Sequence, residues 1–313
     1  MKEGDEMYDI IGDIHGFAEP LKQLLRRLGY SEIEGAWQHP DRKALFLGDY
    51  IDRGPQQVEV VSIVRAMQQA GHALAIMGNH EFNAVAWASP NPDKDGEALR
   101  AHNAKNRHQH REFLEQVGEG SELHDDIIAW FMTLPVYLDL PDLRAVHACW
   151  HPKYIEELKP WLDGNNCLKE EAWYPASRKG HRVYRAVETL LKGLEIPLPE
   201  GNGFHDKDGH PRKDIRTRWW LQHSHTYRDL AMVPPEVIER IPHQPVPGDI
   251  LPGYDNHKPV FVGHYWLTGT PEPLAENIAC LDYSVVSANK GKLVAYRWDG
   301  GPLTTDNYTW VVR

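Results

Sequence analysis

The first third of the chain alternates short apolar runs with amphipathic helical patterns, and this alternation limits the folds available to it. The runs YDIIGD, KALFLGD and ALAIMGN are typical of buried strands. Between them, EPLKQLLRRLG and VEVVSIVRAMQQAG carry apolar residues at helical spacing and end on glycine. The β-α-β-α-β order predicts a parallel sheet covered by helices, with ligands bound at the carboxyl ends of its strands.

The remaining patterns predict a return to strands near the end of the chain. PVYLDLPDLRAVHA predicts two short strands joined at Pro141, and KPVFVGHYW, NIACLDYSV and KLVAYRWDG predict three more. Residues 98–117 have a polar helical pattern, and we interpret its histidines as part of a solvated face. These are His102, His108 and His110.

Between His151 and His257 the helical and strand periodicity weakens, apart from one clear helix in YRAVETLLKGL. Prolines, glycines and aromatic residues crowd together there. We therefore expect a single domain over residues 1–313, with residues 151–257 as an insertion or cap region within it. The tryptophans of this region could form a local core or stack on an adenine. They include Trp161, Trp173, Trp219 and Trp220.

The overall charge argues against a general nucleic-acid-binding protein. Lys and Arg number 34 against 45 Asp and Glu, so the formal net charge is −11. Three widely spaced cysteines fit a reducing compartment better than a disulfide framework. The acidic start MKEGDEMYDI does not resemble a signal peptide, and no apolar run approaches the roughly 20 residues of a membrane span. We expect a soluble cytoplasmic protein without membrane association.

Each of five predicted strands is followed by a residue that can bind a metal ion, in the segments GDIHG, GDYIDRG, GNHE, VHA and VGH. If the strands are neighbours in the sheet, these residues share one small volume. They are Asp13, His15, Asp49, Asn79, His147 and His264. A histidine after a single strand is more often a hydrogen-bonded core residue, but five such strand ends are hard to explain by packing. Mixed imidazole, carboxylate and amide ligands favour manganese, iron or zinc.

Six side chains can serve two ions only if one carboxylate is shared, and Asp49 follows the middle strand of the three motifs. Two ions about 3.5–4 Å apart share and acidify a water and hold the oxygens of an in-line displacement at phosphorus. Arg53 can bind phosphoryl oxygens through its planar fork. His80 can protonate the leaving oxygen, and Asp52 can orient His80 and keep it charged.

The motifs GDIHG, GDYIDRG and GNHE, in this order and spacing, resemble the signature of the phosphoprotein-phosphatase-type (calcineurin-like) metallophosphoesterases. The resemblance is strongest over Tyr8–Phe82 and continues at His147, at VFVGH and at CLDYSVVSANKGKLVAYRW. It implies a four-layer α/β fold, in which helices flank a β-sandwich and a dinuclear site lies at one edge. It further implies that Asp13 and His15 bind one metal, that Asn79, His147 and His264 bind the other, and that Asp49 bridges them.

The same resemblance implies that His80 is the general acid, Asp52 its partner and Arg53 a phosphate ligand. Within the family, the chain most resembles the lambda-phosphatase and diadenosine-tetraphosphatase-like bacterial members. The segment HACWHP, which begins at His147, is closer to the lambda-phosphatase type than to the protein phosphatases. A second phosphate-binding arginine would fall in the poorly matched region, where Arg216 and Arg218 are the candidates, although both could be surface residues stacked on tryptophan.

Two divalent cations and a phosphorylated small molecule or phosphoprotein are therefore the expected partners. We expect hydrolysis of a nucleotide or dinucleoside polyphosphate. The alternatives are a serine/threonine protein phosphatase and a non-catalytic nucleotide sensor. The pair His223 and His225 could bind a metal, but surface or capping roles are more common for histidines outside a strand end.

Overall fold

The computed structural model describes residues 6–205, 211–222, 225–233, 237–247 and 250–313. The strands in these parts of the chain are, in order, β1 (Met7–Ile11), β2 (Ser31–Ile33), β3 (Ala36–Gln38), β4 (Arg42–Phe46), β5 (Ala73–Ala75), β6 (Tyr137–Asp139), β7 (Arg144–Val146), β8 (Glu195–Pro197), β9 (Phe204–His205), β10 (Pro211–Arg212), β11 (Asp214–Arg216), β12 (Val260–Val262), β13 (Ile278–Cys280), β14 (Asp282–Tyr283), β15 (Lys292–Trp298) and β16 (Tyr308–Val312).

The α-helices in the same parts of the chain are α1 (Ala18–Leu28), α2 (Gln57–Gln69), α3 (Asn79–Ala88), α4 (Ala104–Val117), α5 (Glu122–Phe131), α6 (Pro152–Leu158), α7 (Trp173–Ser177), α8 (Arg182–Lys192) and α9 (Tyr227–Leu230). None of them combines the length and the apolar character that a membrane span would need.

Two sheets stack face to face. The first has the order β14-β15-β1-β4-β5, with β16 also paired to β15, and its strands β1, β4 and β5 run parallel. The second has the order β13-β12-β7-β6, in which β13, β12 and β7 run parallel. The predicted fold class, an α/β protein built on a β-sandwich, is confirmed.

The alternation of side chains along β1 places it between two apolar layers. Ile10 belongs to the core between the sheets, where it is joined by Phe261 of the second sheet. Ile11 belongs to the larger core that includes the apolar face of α1, with Leu21 and Leu25. Burial of each such side chain contributes roughly 1.5–3 kcal/mol, so both faces of the strand resist register shifts.

The condition that all the motif-bearing strands are neighbours in one sheet is not met. β1, β4 and β5 are neighbours in the first sheet, but β7 and β12 belong to the second. Strand periodicity does not show which sheet a strand joins. The sandwich nevertheless brings the carboxyl ends of both sets of strands to the same edge.

Residues 151–257 contain a small apolar cluster of their own, which includes Ile196, Ile215 and Tyr227. Three of the four tryptophans of this region belong instead to the main core, and they are Trp173, Trp219 and Trp220. Their burial leaves no ring face for stacking on an adenine. The division into one domain over residues 1–313 with a cap at residues 151–257 remains a prediction.

Candidate functional site

The three motifs of the first sheet meet at the ends of β1, β4 and β5. Asp13 and His15 follow β1, Asp49 follows β4, and Asn79 begins α3 after β5. The second sheet adds two residues to the same place, His147 after β7 and His264 after β12. All six are buried, and their side chains contact one another as described below.

Asp49 lies at the centre of this group. Its Oδ2 is 3.7 Å from His15 Nε2 and 3.2 Å from His147 Nε2. The carboxylate of Asp13 is 4.0 Å from His15 Nε2 and accepts the backbone N–H of His264 at 3.1 Å. Two sets of ligand atoms close enough to hold a metal ion therefore share Asp49. They are His15, Asp49 and His80, and Asp49, His147 and His264.

The imidazoles have the hydrogen bonds expected of metal ligands. His15 Nδ1 is 2.9 Å from the carbonyl of Ile51, and His147 Nδ1 is 2.6 Å from the carbonyl of Leu47. These bonds require the proton on Nδ1, which leaves each Nε2 lone pair directed at the carboxylates. The Nε2 atoms are buried and have no hydrogen-bond partner. A cation between them and Asp49 would satisfy atoms that are otherwise costly to bury.

His264 differs from His15 and His147 in its hydrogen-bond partner, because its Nδ1 is 2.8 Å from the side-chain oxygen Oδ1 of Asn79 and not from a backbone carbonyl. Burial and the charge of Arg216 lower the pKa of His264 well below its usual value, which favours the neutral form that binds metals. Burial opposes protonation of His147, but Asp49 and Asp13 raise its pKa to about 10. The negative potential that attracts a proton there would equally attract a metal ion.

The backbone around the site is held in left-handed conformations. Non-glycine residues with φ between +49° and +80° are His15, Asp49, Asp52, Arg53 and His264. Each such residue costs about 1 kcal/mol or more, and clusters of them are typical of functional sites. Gly78 is required here, because a Cβ on it would lie 2.3 Å from the backbone nitrogen of Asp49.

Asp52 does not join the central group but contacts two histidines. Its Oδ2 is 2.5 Å from His80 Nδ1, and its Oδ1 is 2.7 Å from His110 Nδ1. Burial raises the pKa of Asp52, but His110 and His80 outweigh it, and the pKa lies below its usual value. Burial lowers the pKa of His80, but Asp49 and Asp52 outweigh that effect and raise it. The side chain of His80 is 13% exposed, against 2% for His15, so His80 faces the solvent side of the group.

The interpretation of the α4 histidines as a solvated face is wrong for His110, which is buried against Asp52 and stacked on Phe113. His108 is exposed, as expected, and the exposed His102 stacks on Trp87. Helical periodicity predicts the wrong environment for His110 because this polar side chain faces the interior. There it forms a hydrogen bond with the carboxylate of Asp52, which belongs to another part of the chain.

The candidate arginines differ in how they approach the site. Arg53 is exposed and lies over the ring of Trp266 at 5.8 Å. Burial is the main cause of the lowered pKa of His15, and the charge of Arg53 adds to it. Arg216 is half-buried and acts electrostatically on His264. Arg218 is exposed, and its backbone N–H donates a hydrogen bond to the carbonyl oxygen of Leu230. Within the described residues, Arg53 is connected to the central group through Trp266, Arg216 acts on it only through its charge, and neither kind of connection is seen for Arg218.

Two buried carboxylates support the site without having been assigned a role from sequence. Glu81, in the GNHE motif, accepts the backbone N–H groups of Asp49, Tyr50 and Gly78 at 2.8–3.0 Å. It therefore joins the loops after β4 and β5. Asp282 accepts the N–H of Trp266 at 2.7 Å and so fixes the loop that carries His264. The sequence features that could have identified Glu81 and Asp282 are their positions in the motif GNHE and in the segment CLDYS.

The HSH segment is only partly covered, since His223 lies outside the described residues. His225 Nε2 is 2.6 Å from the carbonyl of Gln222, which is a local contact. His151 stacks on Tyr154. We assign neither of these two histidines to the central group.

The family described as Calcineurin-like phosphoesterase matches residues 8–167 of the chain. The chain is 30% identical over 189 residues to the bis(5'-nucleosyl)-tetraphosphatase PrpE [asymmetrical] of Bacillus subtilis, covering 58% of this chain and 73% of that protein. It is 43% identical over 74 residues to the PrpE of Halalkalibacterium halodurans, covering 23% of this chain and 30% of that protein. The match thus spans less than a third of the latter relative.

A solved structure extends the likeness to the whole fold. It is a protein serine/threonine phosphatase from Saccharomyces cerevisiae with similarity to human phosphatase PP5. It has 15% sequence identity and a TM-score of 0.50, and the alignment covers 99% of this chain and 80% of that chain. The chain belongs to the calcineurin-like phosphoesterase family.

Proposed function

We propose that the chain is a metal-dependent hydrolase of phosphoanhydride bonds whose substrate is a dinucleoside polyphosphate or a nucleotide. The observation that carries this proposal is the convergence of unpartnered imidazole nitrogens on Asp49, directly beside the Asp52–His80 pair. The names of the relatives, which are tetraphosphatases, support the substrate class. The three free cysteines fit a cytoplasmic location.

The donor set fits two divalent cations. In this proposal Asp13 and His15 hold one, Asn79, His147 and His264 hold the other, and Asp49 contacts both. Nitrogen and oxygen donors without cysteine suit manganese, which we propose as the native metal, with iron and zinc as the other candidates. When bound, such ions lower the pKa of a shared water and neutralise phosphoryl oxygens.

The remaining side chains supply binding and proton transfer. Arg53 and Arg216 bind the oxygens of the phosphoryl group under attack, and Arg218 is the less favoured alternative to Arg216. His80 Nδ1 is occupied by Asp52, so Nε2 is the atom that delivers a proton to the leaving oxygen. Asp52 fixes the ring and stabilises its charged form. Residues 151–257, as a cap, would restrict access to this edge.

A comparison of substrates tests the proposal. The purified protein, loaded in turn with Mn²⁺, Fe²⁺ and Zn²⁺, is assayed for phosphate release from diadenosine tetraphosphate, ATP, a phosphoserine peptide and p-nitrophenyl phosphate. We expect the highest kcat/KM for diadenosine tetraphosphate or ATP, by about tenfold or more over the phosphopeptide.

Two outcomes would contradict it. A preference for the phosphopeptide would support the protein phosphatase alternative. Tight nucleotide binding with no turnover under any of the three metals would support a sensor. The His80→Asn variant serves as the inactive control, because it removes the proton donor and should retain the metals.

A further inference from the structure

Arg100 is held in an unusual way, by three side-chain amide oxygens. Its Nη1 donates to Asn83 Oδ1 at 2.8 Å, and its Nη2 donates to Asn106 Oδ1 at 3.1 Å and to Gln109 Oε1 at 3.2 Å. Amides are neutral, so they orient the guanidinium without cancelling its charge. Within the described parts of the chain, no carboxylate lies at ion-pair distance from Arg100, and its charge is therefore available to an anion.

The neighbours of Arg100 place it on the same side of the site as His80. Asn83 lies three residues after His80 on α3, so the two share a face of that helix. Gln109 directly precedes His110, which bonds Asp52. Burial lowers the pKa of Arg100, while the charges of Asp52 and Glu188 act in the opposite direction. Arg53, in contrast, lies over Trp266, whose ring centroid is 6.1 Å from that of His15, and the charge of Arg216 acts on His264.

We propose that Arg100 binds a phosphate on the leaving group of the substrate, and that the site therefore selects phosphoanhydrides over simple phosphate esters. This inference rests on the proposed function. The group that departs on the His80 side carries a phosphate only when the bond broken is an anhydride. A planar guanidinium fixed by amides suits such a phosphate, since its geometry is already set before binding.

The reaction balances without a further reactant. The oxygen of water forms a bond to the scissile phosphorus, and the bond from that phosphorus to the bridging oxygen breaks. The electron pair of the broken bond stays on the leaving phosphate. His80 delivers a proton to that phosphate. The attacking water gives up one proton, which restores the proton on His80. Arg100 acts by stabilising the negative charge that grows on the leaving group.

The test compares substrates that differ in the leaving group. Arg100→Gln removes the charge, and Arg100→Lys keeps a charge without the fork. The control is Arg107→Gln, because Arg107 lies in the same part of the chain but is exposed and paired with Glu119. kcat and KM are measured for ATP, diadenosine tetraphosphate and p-nitrophenyl phosphate, whose leaving group carries no phosphate.

We expect Arg100→Gln to lower kcat/KM for the two anhydrides by about 10- to 100-fold. That loss should be at least tenfold larger than the loss with p-nitrophenyl phosphate. Arg100→Lys should recover part of it, and Arg107→Gln should behave as wild type. An equal loss on all three substrates, or none on any, would overturn the inference. Failure of the proposed function would be recognised separately, as an absence of turnover or a preference for the phosphopeptide in the wild-type protein.

A separate observation concerns His110, whose ring lies on the far side of Asp52 from His80. Asp52 is a carboxylate and can only accept, so both histidines donate through Nδ1. His110 Nε2 is buried without a hydrogen-bond partner, so the bond to Asp52 is the one that holds this ring through its nitrogens. Each oxygen of Asp52 is therefore fixed by one imidazole.

We infer that His110 is a positioning residue, which sets the orientation of Asp52 and through it that of His80. Without the bond from His110, one oxygen of Asp52 would lose a buried donor and the carboxylate could rotate away from His80.

Two substitutions at His110 separate positioning from packing. His110→Phe keeps a ring against Phe113 and removes the donor, whereas His110→Asn keeps an N–H group near the position of Nδ1. We expect His110→Phe to lower kcat about tenfold with little change in KM or metal content, and His110→Asn to recover most of the loss. His108→Phe, at an exposed position on the same helix, is the control.

Proton NMR provides a readout that does not depend on turnover. The Nδ1 proton of His80, held against a carboxylate at 2.5 Å, should give a strongly downfield signal that weakens or shifts in His110→Phe. An unchanged signal and unchanged kcat in His110→Phe would contradict the inference. So would equal losses in the Phe and Asn variants, which would indicate a packing role alone.

Discussion

Replacing Asp49 with asparagine should remove both metal binding and turnover, and this is the largest effect that we expect from a single substitution. Asp49 is the residue shared by the two candidate ligand sets, and its carboxylate lies within 4 Å of imidazole nitrogens from both sheets. Asparagine keeps the shape but removes the charge that would offset two cations. We expect kcat/KM to fall by about 1000-fold or more.

Metal content and thermal stability measure the Asp49→Asn prediction directly. Ligands that bind only the folded state raise its stability in proportion to their affinity, so Mn²⁺ should raise the Tm of the wild-type protein. The same addition should have little effect on Asp49→Asn. The control is Asp41→Asn, because Asp41 is an exposed carboxylate at the opposite end of β4. Retention of two metal ions per chain by Asp49→Asn would show that Asp49 is not the shared ligand.

The sequence was most informative where a strand ends. Asp13, Asp49 and Asn79 each follow an apolar run, and the β1-β4-β5 order makes those runs adjacent. Parallel strands must present their carboxyl ends at one edge, so local patterns predict a shared location. Asp49 also follows the middle strand in the structure, as the motif order predicted. The roles of these residues as ligands remain predictions.

The contribution of the second sheet could not be predicted from periodicity. β7 and β12 are short apolar runs like the others, and nothing in their patterns shows which sheet they join. His147 and His264 lie close to Asp49 in the structure, and the sequence grouped them with it through their positions at strand ends and through the family resemblance. The physical reason is that sheet membership depends on long-range packing, here the core that Ile10 shares with Phe261.

Arg100 and His110 show why the polar surroundings of the site escaped sequence analysis. Both lie in a stretch rich in charged and amide residues, where the usual interpretation of a polar helix face is exposure to solvent. Their partners come from other elements, Asn83 on α3 and Asp52 after β4. A buried polar contact of this kind depends on how α3 and α4 approach each other, and no local pattern encodes that approach.

The second large effect concerns the Asp52–His80 pair, for which we expect lost chemistry with retained metals. His80→Asn removes the proposed acid and should lower kcat by about 10²- to 10⁴-fold. Asp52→Asn leaves the imidazole in place but without its carboxylate partner, so a smaller loss of about 10- to 100-fold is expected. His80 belongs to one of the two groups of atoms close enough to hold a metal ion, but neither His80 nor Asp52 is among the six proposed ligands, so metal content should remain that of the wild-type protein.

The double variant distinguishes a pair that acts as a unit from two independent residues. If Asp52 acts only through His80, its removal should cost nothing further once His80 is gone, because catalytic groups that act together are not additive. The double variant should then match His80→Asn in kcat. A loss equal to the product of the two single losses would instead mean that Asp52 contributes separately. A drop in metal content in Asp52→Asn would mean that the negative charge of Asp52 supports the metal centre as Asp49 does.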